Sequence, residues 1–384
     1  MRHAGEAATS DVAERNEESS GAENPITAVE SAAYTIPTDK SESDGTFEWN
    51  STTIVIAEVT AGGVTGIGYT YSSPAATGVI HEHLASAAVG CDAMIISTAW
   101  ERMVHAVRNI GRPGIAAAAI SAVDNAMWDL KSKLLDLPLV ALLGAVRNSV
   151  PVYGSGGFTS YSVAELCSQL IGWVQHGISR VKMKVGRDHA AHVTRVREAR
   201  AAIGERAELF VDANAAYDLE LAAAQARGFA ESRVSWFEEL VSSDDLAGLR
   251  FLRGGKPTGM EIAAGEYGYD LGYFRRMLDA ESVDVLQADA TRCCGISEFL
   301  RVGALCESYG IPLSAHTAPA LHLHPACAMP SLRHIEYFHD HVRIERLLFD
   351  GVTAPHDGSL APDMTRPGLG LELKRRDAER FRSM

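Results

Sequence analysis

Lysine, carboxylate and imidazole side chains recur in the second half of the sequence, and from Lys184 to His316 they follow one another at intervals of 23 to 28 residues. Each follows a short apolar or β-branched stretch. The residues with an assigned role, in chain order, are Lys182 and Lys184, Asp212 and Asn214, Glu238, Glu266, Asp289, His316 and Glu336, and Glu239 next to Glu238 is a further charged residue at a strand end. One charged residue at a strand end can simply mark where the strand meets solvent. Seven successive strands that end this way favour a shared reactive site.

Three of these side chains are carboxylates on consecutive strands: Asp212, Glu238 and Glu266. If they converge, their mutual repulsion raises their pKa values unless a cation lies between them. All-oxygen ligation suits Mg²⁺, whereas zinc would favour histidine or cysteine ligands. We therefore expect a Mg²⁺ cofactor at these three residues.

A lysine and a histidine follow strands on either side of this predicted metal site. Lys184 and Lys182 lie two positions apart and so share one face of a strand. We expect the Lys182 ammonium and the metal charge to lower the pKa of Lys184, which could then act as a general base. Asp289 can accept a hydrogen bond from one ring nitrogen of His316 and orient the other towards the pocket.

This combination suits removal of the proton from the carbon next to a carboxylate. The metal stabilises the enediolate as negative charge moves onto the carboxylate oxygens. The expected substrate is a small-molecule carboxylate. If the second group protonates a leaving 3-hydroxyl, the outcome is dehydration, and if it returns a proton to carbon 2, the outcome is racemisation or epimerisation.

Eight strands that alternate with amphipathic helices position these residues. The pattern predicts an α/β barrel of the TIM type, in which active sites lie at the carboxyl ends of the strands. The predicted strands are 151–157, 180–186, 209–214, 235–240, 261–266, 283–289, 311–316 and 333–338.

The preceding region predicts an N-terminal α+β capping domain. Residues 51–59 and 64–71 form β-branched runs separated by a turn that contains Gly62 and Gly63, which indicates a hairpin. Residues 115–135 carry apolar side chains at helical spacing. The predicted organisation is a disordered tail (1–26), the capping domain (27–150), the barrel (151–345) and a C-terminal segment that returns to the capping domain (346–384).

Composition excludes several classes of function. The sequence has 35 basic and 49 acidic residues, a net charge of −14, which argues against nucleic acid as a partner. It has no apolar run of the roughly 20 residues that a membrane span requires. The start has no apolar segment typical of a secretory signal, and the six cysteines are too sparse for a disulfide scaffold, so we expect a cytoplasmic protein.

From about residue 28 onwards the chain also resembles the enolase superfamily, in its mandelate racemase subgroup. The resemblance is carried by KMK (182–184), VDAN (211–214), FEEL (237–240), AAGE (263–266), QADATR (287–292), SAH (314–316) and HIEYF (334–338), in order. It implies a modified (β/α)7β barrel and the same metal ligands, base and His-Asp dyad. It further implies that Lys182 and Glu336 contact the substrate carboxylate.

Within this subgroup a lysine together with a His-Asp dyad resembles acid-sugar dehydratases, which convert aldonates or aldarates to 2-keto-3-deoxy acids. Two positions depart from the family pattern. Leu240 stands where a proline is common, and Cys294 stands where the first glycine of a Gly-Gly pair is usual. The second departure is expected to affect the loop near Asp289.

Some alternatives remain open at this stage. A racemase or epimerase is the second interpretation, and a non-catalytic ligand-binding barrel is a distant third. We expect loop residues 34–49 of the capping domain to close over the barrel and select the substrate, with Asn214 as a further substrate contact. His339 and His341 follow the last strand and could also touch substrate. A homo-oligomer is expected, because barrel enzymes of this size are often oligomeric.

Overall fold

A computed structural model describes residues 22–383. Its first part is a three-stranded antiparallel sheet packed against helices, with strand order β1-β2-β3. The strands are β1 (Ile26–Ser43), β2 (Glu48–Ala61) and β3 (Val64–Tyr71). The helices are α1 (Ala75–Val79), a π-helical turn (Ile80–Leu84), α2 (Ala85–Ala88), α3 (Ile96–Ala106), α4 (Ile115–Leu134) and α5 (Leu139–Leu143).

The hairpin and the long helix predicted for this part are confirmed. β2 and β3 pair in register across Gly62 and Gly63, whose φ values of 58° and 76° suit glycine in a tight turn. Helix α4 packs so closely on β3 that a Cβ atom at Gly66 or Gly68 would lie within 2.4 Å of the helix backbone. The two glycines therefore allow the sheet and the helix to approach.

Strand β1 was not predicted and changes two expectations. Residues 1–21 of the expected tail lie outside the described residues, but its last residues belong to the fold, because Pro25 bridges Asp92 and the buried Ile26 begins β1. The expected loop 34–49 is for the most part a β-hairpin. Its turn is closed by Asp44, whose Oδ1 accepts hydrogen bonds from the backbone N–H groups of Thr46 and Phe47.

The second part is a closed parallel barrel, as predicted. Its eight strands pair in sequence order, and the last pairs with the first. They are β4 (Val150–Gly156), β5 (Arg180–Lys184), β6 (Glu208–Asp212), β7 (Val234–Glu238), β8 (Glu261–Ala264), β9 (Val285–Ala288), β10 (Leu313–Ala315) and β11 (Leu332–Phe338). The surrounding helices are α6 (Val163–Gln175), α7 (His192–Ile203), α8 (Leu219–Ala230), α9 (Leu246–Gly255), α10 (Leu271–Asp279), α11 (Ile296–Tyr309), α12 (Pro319–Ala328) and α13 (His339–Leu348).

Aromatic side chains fill the barrel below the strand ends. Tyr153, Phe210 and Trp236 are fully buried, and the rings of Phe210 and Trp236 stack with centroids 5.2 Å apart. His334 lies beside them and hydrogen-bonds to Ser314. This packed layer fills the barrel interior beneath the polar residues at its mouth.

The C-terminal segment lies along both parts. It contains β12 (Phe349–Asp350), β13 (Ser359–Leu360), β14 (Glu372–Leu373), α14 (Arg375–Ala378) and a 3-10 turn (Glu379–Phe381). Strand β13 pairs with the start of β4, whereas the last described residues return to the sheet, where Ser383 N donates to Ala33 O. None of the helices among residues 22–383 has both the length and the apolar character required to span a bilayer.

Candidate active site

The structure brings together all nine residues that the sequence singled out. Strands β5, β6 and β7 end at Lys184, Asp212 and Glu238. Strands β8, β9 and β10 end one or two residues before Glu266, Asp289 and His316, and β11 contains Glu336. Because parallel strands in a barrel share one carboxyl end, these side chains point into a common mouth. All are at least nine-tenths buried.

Three carboxylates form a cluster that fits a metal ion. Asp212, Glu238 and Glu266 each contribute an oxygen atom, and these atoms all lie within 4.8 Å of one another. Burial, followed by the charge of Asp212, raises the pKa of Glu238 to about 8. A divalent cation would relieve this repulsion, and an all-oxygen donor set is the one Mg²⁺ prefers. The residues present therefore fit Mg²⁺.

The two lysines lie against this cluster. Lys184 Nζ is 2.6 Å from Asp212 Oδ2. Lys182 Nζ is 2.6 Å from Glu238 Oε1, 2.9 Å from Glu336 Oε1 and 3.4 Å from Asp212 Oδ2. The two ammonium groups are thus held by carboxylates from three other strands.

The expected lowering of the Lys184 pKa depends on the metal charge as well as on Lys182, and the side chains of the protein alone have the opposite net effect. Burial lowers the pKa of Lys184, and so does the charge of Lys182, but the adjacent Asp212 carboxylate outweighs both and raises it above its usual value. The same competition raises the pKa of Lys182, mainly through Glu238 and Glu336. Sequence spacing showed the neighbouring ammonium but not the 2.6 Å ion pair.

On the opposite flank of the carboxylates, His316 and Asp289 are paired. His316 Nδ1 lies 2.8 Å from Asp289 Oδ2, and Nε2 points to Glu266 Oε2 at 3.2 Å. Burial lowers the pKa of His316, but Glu266 and Asp289 outweigh it and raise it to about 10. The pKa of Asp289 is lowered because its interactions with His316 outweigh its burial. The imidazole is therefore oriented with one nitrogen facing the metal cluster.

Glu336 and Asn214 complete the mouth. Glu336 accepts hydrogen bonds from Ser155 Oγ at 2.5 Å and from Thr317 N at 3.2 Å. Asn214 has a φ of 46° and donates its backbone N–H to Asp212 Oδ1. Its side-chain Oδ1 is buried without a hydrogen-bond partner among the described residues, and so it is free to contact a ligand.

Sequence reasoning assigned no role to two further charged residues at this site, Arg292 and Glu239. Arg292 Nη1 lies 3.3 Å from Glu266 Oε1, and its guanidinium packs 5.1 Å from the ring of Tyr267. Glu239 is fully buried, and neither carboxylate oxygen has a hydrogen-bond partner within residues 22–383. The motifs QADATR and FEEL contained both residues, and a charged residue beside an assigned one was the available signal.

The two departures from the family pattern lie in the hydrophobic core. Leu240 is fully buried among the barrel core residues. Cys294 retains a left-handed conformation, with a φ of 68°, and its side chain packs into the core of the capping domain. Trp100 Nε1 donates to the Cys294 carbonyl. The thiol thus contributes to domain packing and donates to the Tyr269 carbonyl at 3.5 Å.

The two histidines after the last strand separate in space. His341 is buried, its ring stacks on Tyr71 at 3.4 Å, and burial lowers its pKa to about 3. His339 is half-buried and hydrogen-bonds to Asp39 on β1. Both therefore contact the capping domain.

Comparison with known proteins supports the same assignment. Residues 41–144 match the mandelate racemase/muconate lactonizing enzyme N-terminal domain, and residues 162–378 match the enolase C-terminal domain-like family. The chain belongs to the mandelate racemase/muconate lactonizing enzyme family. It is therefore an enzyme of the enolase superfamily, as the sequence motifs indicated.

Members of this family with similar sequences include a dehydratase. The chain is 34% identical over 326 residues to the L-talarate/galactarate dehydratase of Salmonella typhimurium, covering 83% of this chain and 80% of the relative. A mandelate racemase/muconate lactonizing enzyme-like protein from Rubrobacter xylanophilus superposes with a TM-score of 0.92 at 52% identity, covering 94% of this chain and 100% of that one. A racemase from Streptomyces coelicolor with bound magnesium superposes with a TM-score of 0.88 at 31% identity, covering 93% and 100%.

Proposed function

We propose that this enzyme binds Mg²⁺ through Asp212, Glu238 and Glu266 and dehydrates an acid sugar, an aldonate or aldarate, to a 2-keto-3-deoxy acid. The observation that carries the proposal is the position of two proton-transfer groups on either side of the carboxylates. Lys184 contacts Asp212, and His316, oriented by Asp289, faces Glu266. A substrate bound between them would present two faces to two different groups.

Each active-site residue has a distinct role in the proposed reaction. Lys182 and Glu336, paired at 2.9 Å, bind the substrate carboxylate, and Asn214 contributes its unpaired amide oxygen to a hydroxyl. When bound, Mg²⁺ supplies positive charge that stabilises the developing enediolate. One of Lys184 and His316, whose pKa values the charge of a bound Mg²⁺ would lower, accepts the proton from carbon 2 in its neutral form. The other donates a proton to the hydroxyl that leaves carbon 3 as water, and the resulting enol tautomerises to the 2-keto acid.

The named dehydratase relative supports dehydration as the first choice. Its name gives L-talarate and galactarate as substrates, and both are six-carbon diacids. The buried lysine and histidine side chains and the partly exposed Arg292 around the mouth suit an anionic substrate of this class. Magnesium in the related racemase structure supports the choice of ion.

The test is a screen of the purified protein with Mg²⁺ against aldonic and aldaric acids in deuterated water. We expect 2-keto acid from one or a few stereoisomers. Lys184→Ala and His316→Ala should each reduce keto-acid formation by at least about a thousandfold. A loss of this size lies within the range of rate enhancement that a proton-transfer group provides. The exposed His356 provides a matched control, and His356→Ala should leave turnover unchanged. Full turnover in both site variants would contradict the proposal.

Epimerisation is a second candidate, favoured by the likeness to a racemase and by the presence of a group on each face. In that case deuterium would enter carbon 2 without keto acid, and either alanine variant would abolish interconversion of the epimers. A dehydratase that has lost only its leaving-group acid can instead retain exchange at carbon 2. The two reactions are therefore distinguished by the same samples.

A further inference from the structure

A second cluster of metal-ligand side chains lies at the junction of the capping domain and the barrel. Asp39 and Glu42 are on β1, near the hairpin turn, and His339 begins α13 directly after the last barrel strand. Each offers one ligand atom, and the three atoms lie within 4.8 Å of one another. His339 Nε2 is 3.1 Å from Asp39 Oδ2. None of the three belongs to the proposed active site.

Glu42 gives independent support for a ligand at this cluster. Its side chain is fully buried, yet Oε1 has no hydrogen-bond partner in the part of the chain that the structure describes. The other oxygen accepts a hydrogen bond from Trp49 Nε1 at 2.9 Å. A buried carboxylate with an unsatisfied oxygen costs free energy unless a cation or donor completes it. Burial and the nearby Asp340 charge raise the pKa of Glu42 to about 8.

The cationic side chains on the same segments are engaged elsewhere. Lys40 is paired with Glu165 at 2.6 Å. Arg343 pairs with Asp340 at 2.6 Å and donates to the Pro37 carbonyl. Neither neutralises Glu42 through a direct contact that the structure shows. The cluster therefore carries two carboxylates and an imidazole in a position where positive charge would be stabilised.

We propose that Asp39, Glu42 and His339 bind a divalent transition-metal ion, for which Zn²⁺ is the best match. An imidazole nitrogen combined with carboxylate oxygens is a donor set that zinc accepts, whereas the all-oxygen catalytic cluster suits Mg²⁺. Zinc-ligand bonds of about 2.0–2.2 Å place ligand atoms about 3–4 Å apart, and the separations here are compatible with that after small side-chain movements.

An ion at this position would join β1 to the segment after β11. The end of the hairpin already contacts the barrel, because Thr159 N donates to Ser43 O and Ser160 Oγ donates to Ser41 O, both at 2.8 Å. Those bonds hold one side of the hairpin to the loop after β4. The metal would add a link on the other side and fix the hairpin over the barrel mouth.

The test measures which metal the full-length protein retains and where. Wild-type protein is dialysed against excess Mg²⁺ with Zn²⁺ at micromolar concentration, desalted, and analysed for both metals by mass spectrometry. We expect about one zinc per chain. D39N and H339Q should each weaken zinc binding at least tenfold by calorimetry, because each removes one of three ligands. D39N changes a partly exposed side chain to its isostere, so a failure to fold is not expected.

Two further variants make the result decisive. D212N should retain zinc, because its substitution lies in the catalytic cluster, and H356Q should retain it because His356 is exposed on the C-terminal segment. Absence of zinc from the wild type would overturn the proposal. So would retention of zinc by both D39N and H339Q, or loss of zinc in D212N. Since metal content is measured without turnover, the outcome does not depend on the reaction proposed above.

Discussion

Ser155 and Thr317 hold Glu336 in place from two sides. The serine hydroxyl donates to one carboxylate oxygen at 2.5 Å, and the Thr317 backbone N–H donates to the other. Before substrate binds, burial raises the pKa of Glu336 but Lys182 outweighs it and lowers the pKa to about 2, so the side chain is ionised. A substrate carboxylate beside it would raise this pKa again, and a protonated Glu336 could then donate a hydrogen bond to that carboxylate. Its direction, and hence its contact with a substrate carboxylate, depends on the two donors.

The first prediction concerns this serine. Ser155→Ala should lower kcat/KM about tenfold or more, because a hydrogen bond to a charged group contributes about 1.5–3 kcal/mol. Steady-state kinetics on the substrate found in the screen would measure the effect. The matched control is Ser314→Ala, since Ser314 is equally buried in the barrel but bonds to His334 below the site. Equal losses in the two variants would show that the effect is structural.

At the residue scale, the sequence predicted which polar side chains meet but not how they pair. A barrel brings the carboxyl ends of its strands together. The convergence of Asp212, Glu238 and Glu266 could therefore be predicted from the order of the strands along the sequence. The ion pair of Lys184 with Asp212 could not be predicted in this way, because it depends on side-chain direction within a few tenths of an ångström. Ser155 and Arg292 were missed for the same reason.

Helices α4 and α11 meet where the capping domain packs on the barrel, at Gly295. This residue has a φ of 92°, and a Cβ atom there would lie 2.3 Å from the carboxylate of Asp124. Asp124 in turn accepts hydrogen bonds from Ser297 N and Oγ at the start of α11. The left-handed residue before it, Cys294, anchors the loop in the capping-domain core.

The second prediction tests this close approach. Gly295→Ala should destabilise the protein by about 3 kcal/mol, the sum of left-handed strain and a steric clash in a packed interface. Gly310→Ala is the control, because Gly310 has a φ of 64° but no atom of the described residues lies within 4 Å of an added Cβ. It should cost about 1 kcal/mol. Denaturant unfolding of both variants would compare them, and equal costs would contradict the role of Asp124.

The third prediction concerns the pH dependence of stability through Asp124. Burial raises its pKa to about 7 in the folded protein. Between about pH 4 and pH 7 the folded chain therefore keeps a proton that the unfolded chain has released, so this group's contribution to stability falls as pH rises. The slope is about 1.4 kcal/mol per pH unit.

Asp124→Asn should remove that slope while it retains a hydrogen bond to Ser297. The thermal midpoint of the variant relative to wild type should increase from pH 5 to pH 7 and change little above pH 8. Asp357→Asn, at an exposed position, serves as the control and should show a constant difference. A difference that is also constant for Asp124→Asn would mean that the carboxyl stays ionised across this range.

At the element scale, periodicity predicted every barrel strand and the long helix of the capping domain, but it misplaced strand ends. The predicted strands ran beyond the observed ones by up to two residues at Asn214, Leu240, Glu266 and His316, because the active-site residues continue the polar pattern after the ladder has ended. Strand β1 was missed because its charged residues 38–42 read as loop. Its pairing with β2, which shifts register between Pro37 and Glu42, is a long-range property.

At the scale of the whole molecule, the stability of the barrel should depend on metal. The active site buries three carboxylates, those of Asp212, Glu238 and Glu266. The neighbouring ammonium groups of Lys182 and Lys184 are buried too, and their removal from water also costs free energy. A ligand that binds only the folded state adds about 2.7 kcal/mol at a hundred times its dissociation constant. Saturating Mg²⁺ should therefore raise the thermal midpoint by a few degrees, and chelation should reverse the shift.

The ligand residues themselves supply the control for this fourth prediction. In D212N one of the three ligands loses its charge, so the shift with Mg²⁺ should shrink to near zero, whereas D39N should keep the full shift because its substitution lies outside the catalytic cluster. Differential scanning calorimetry with and without Mg²⁺ measures all three proteins. An equal shift in wild type and D212N would show that the ion binds elsewhere. The three buried carboxylates would then have no metal cation to offset their mutual repulsion. In that case a proton shared among them would have to reduce their negative charge in place of the metal.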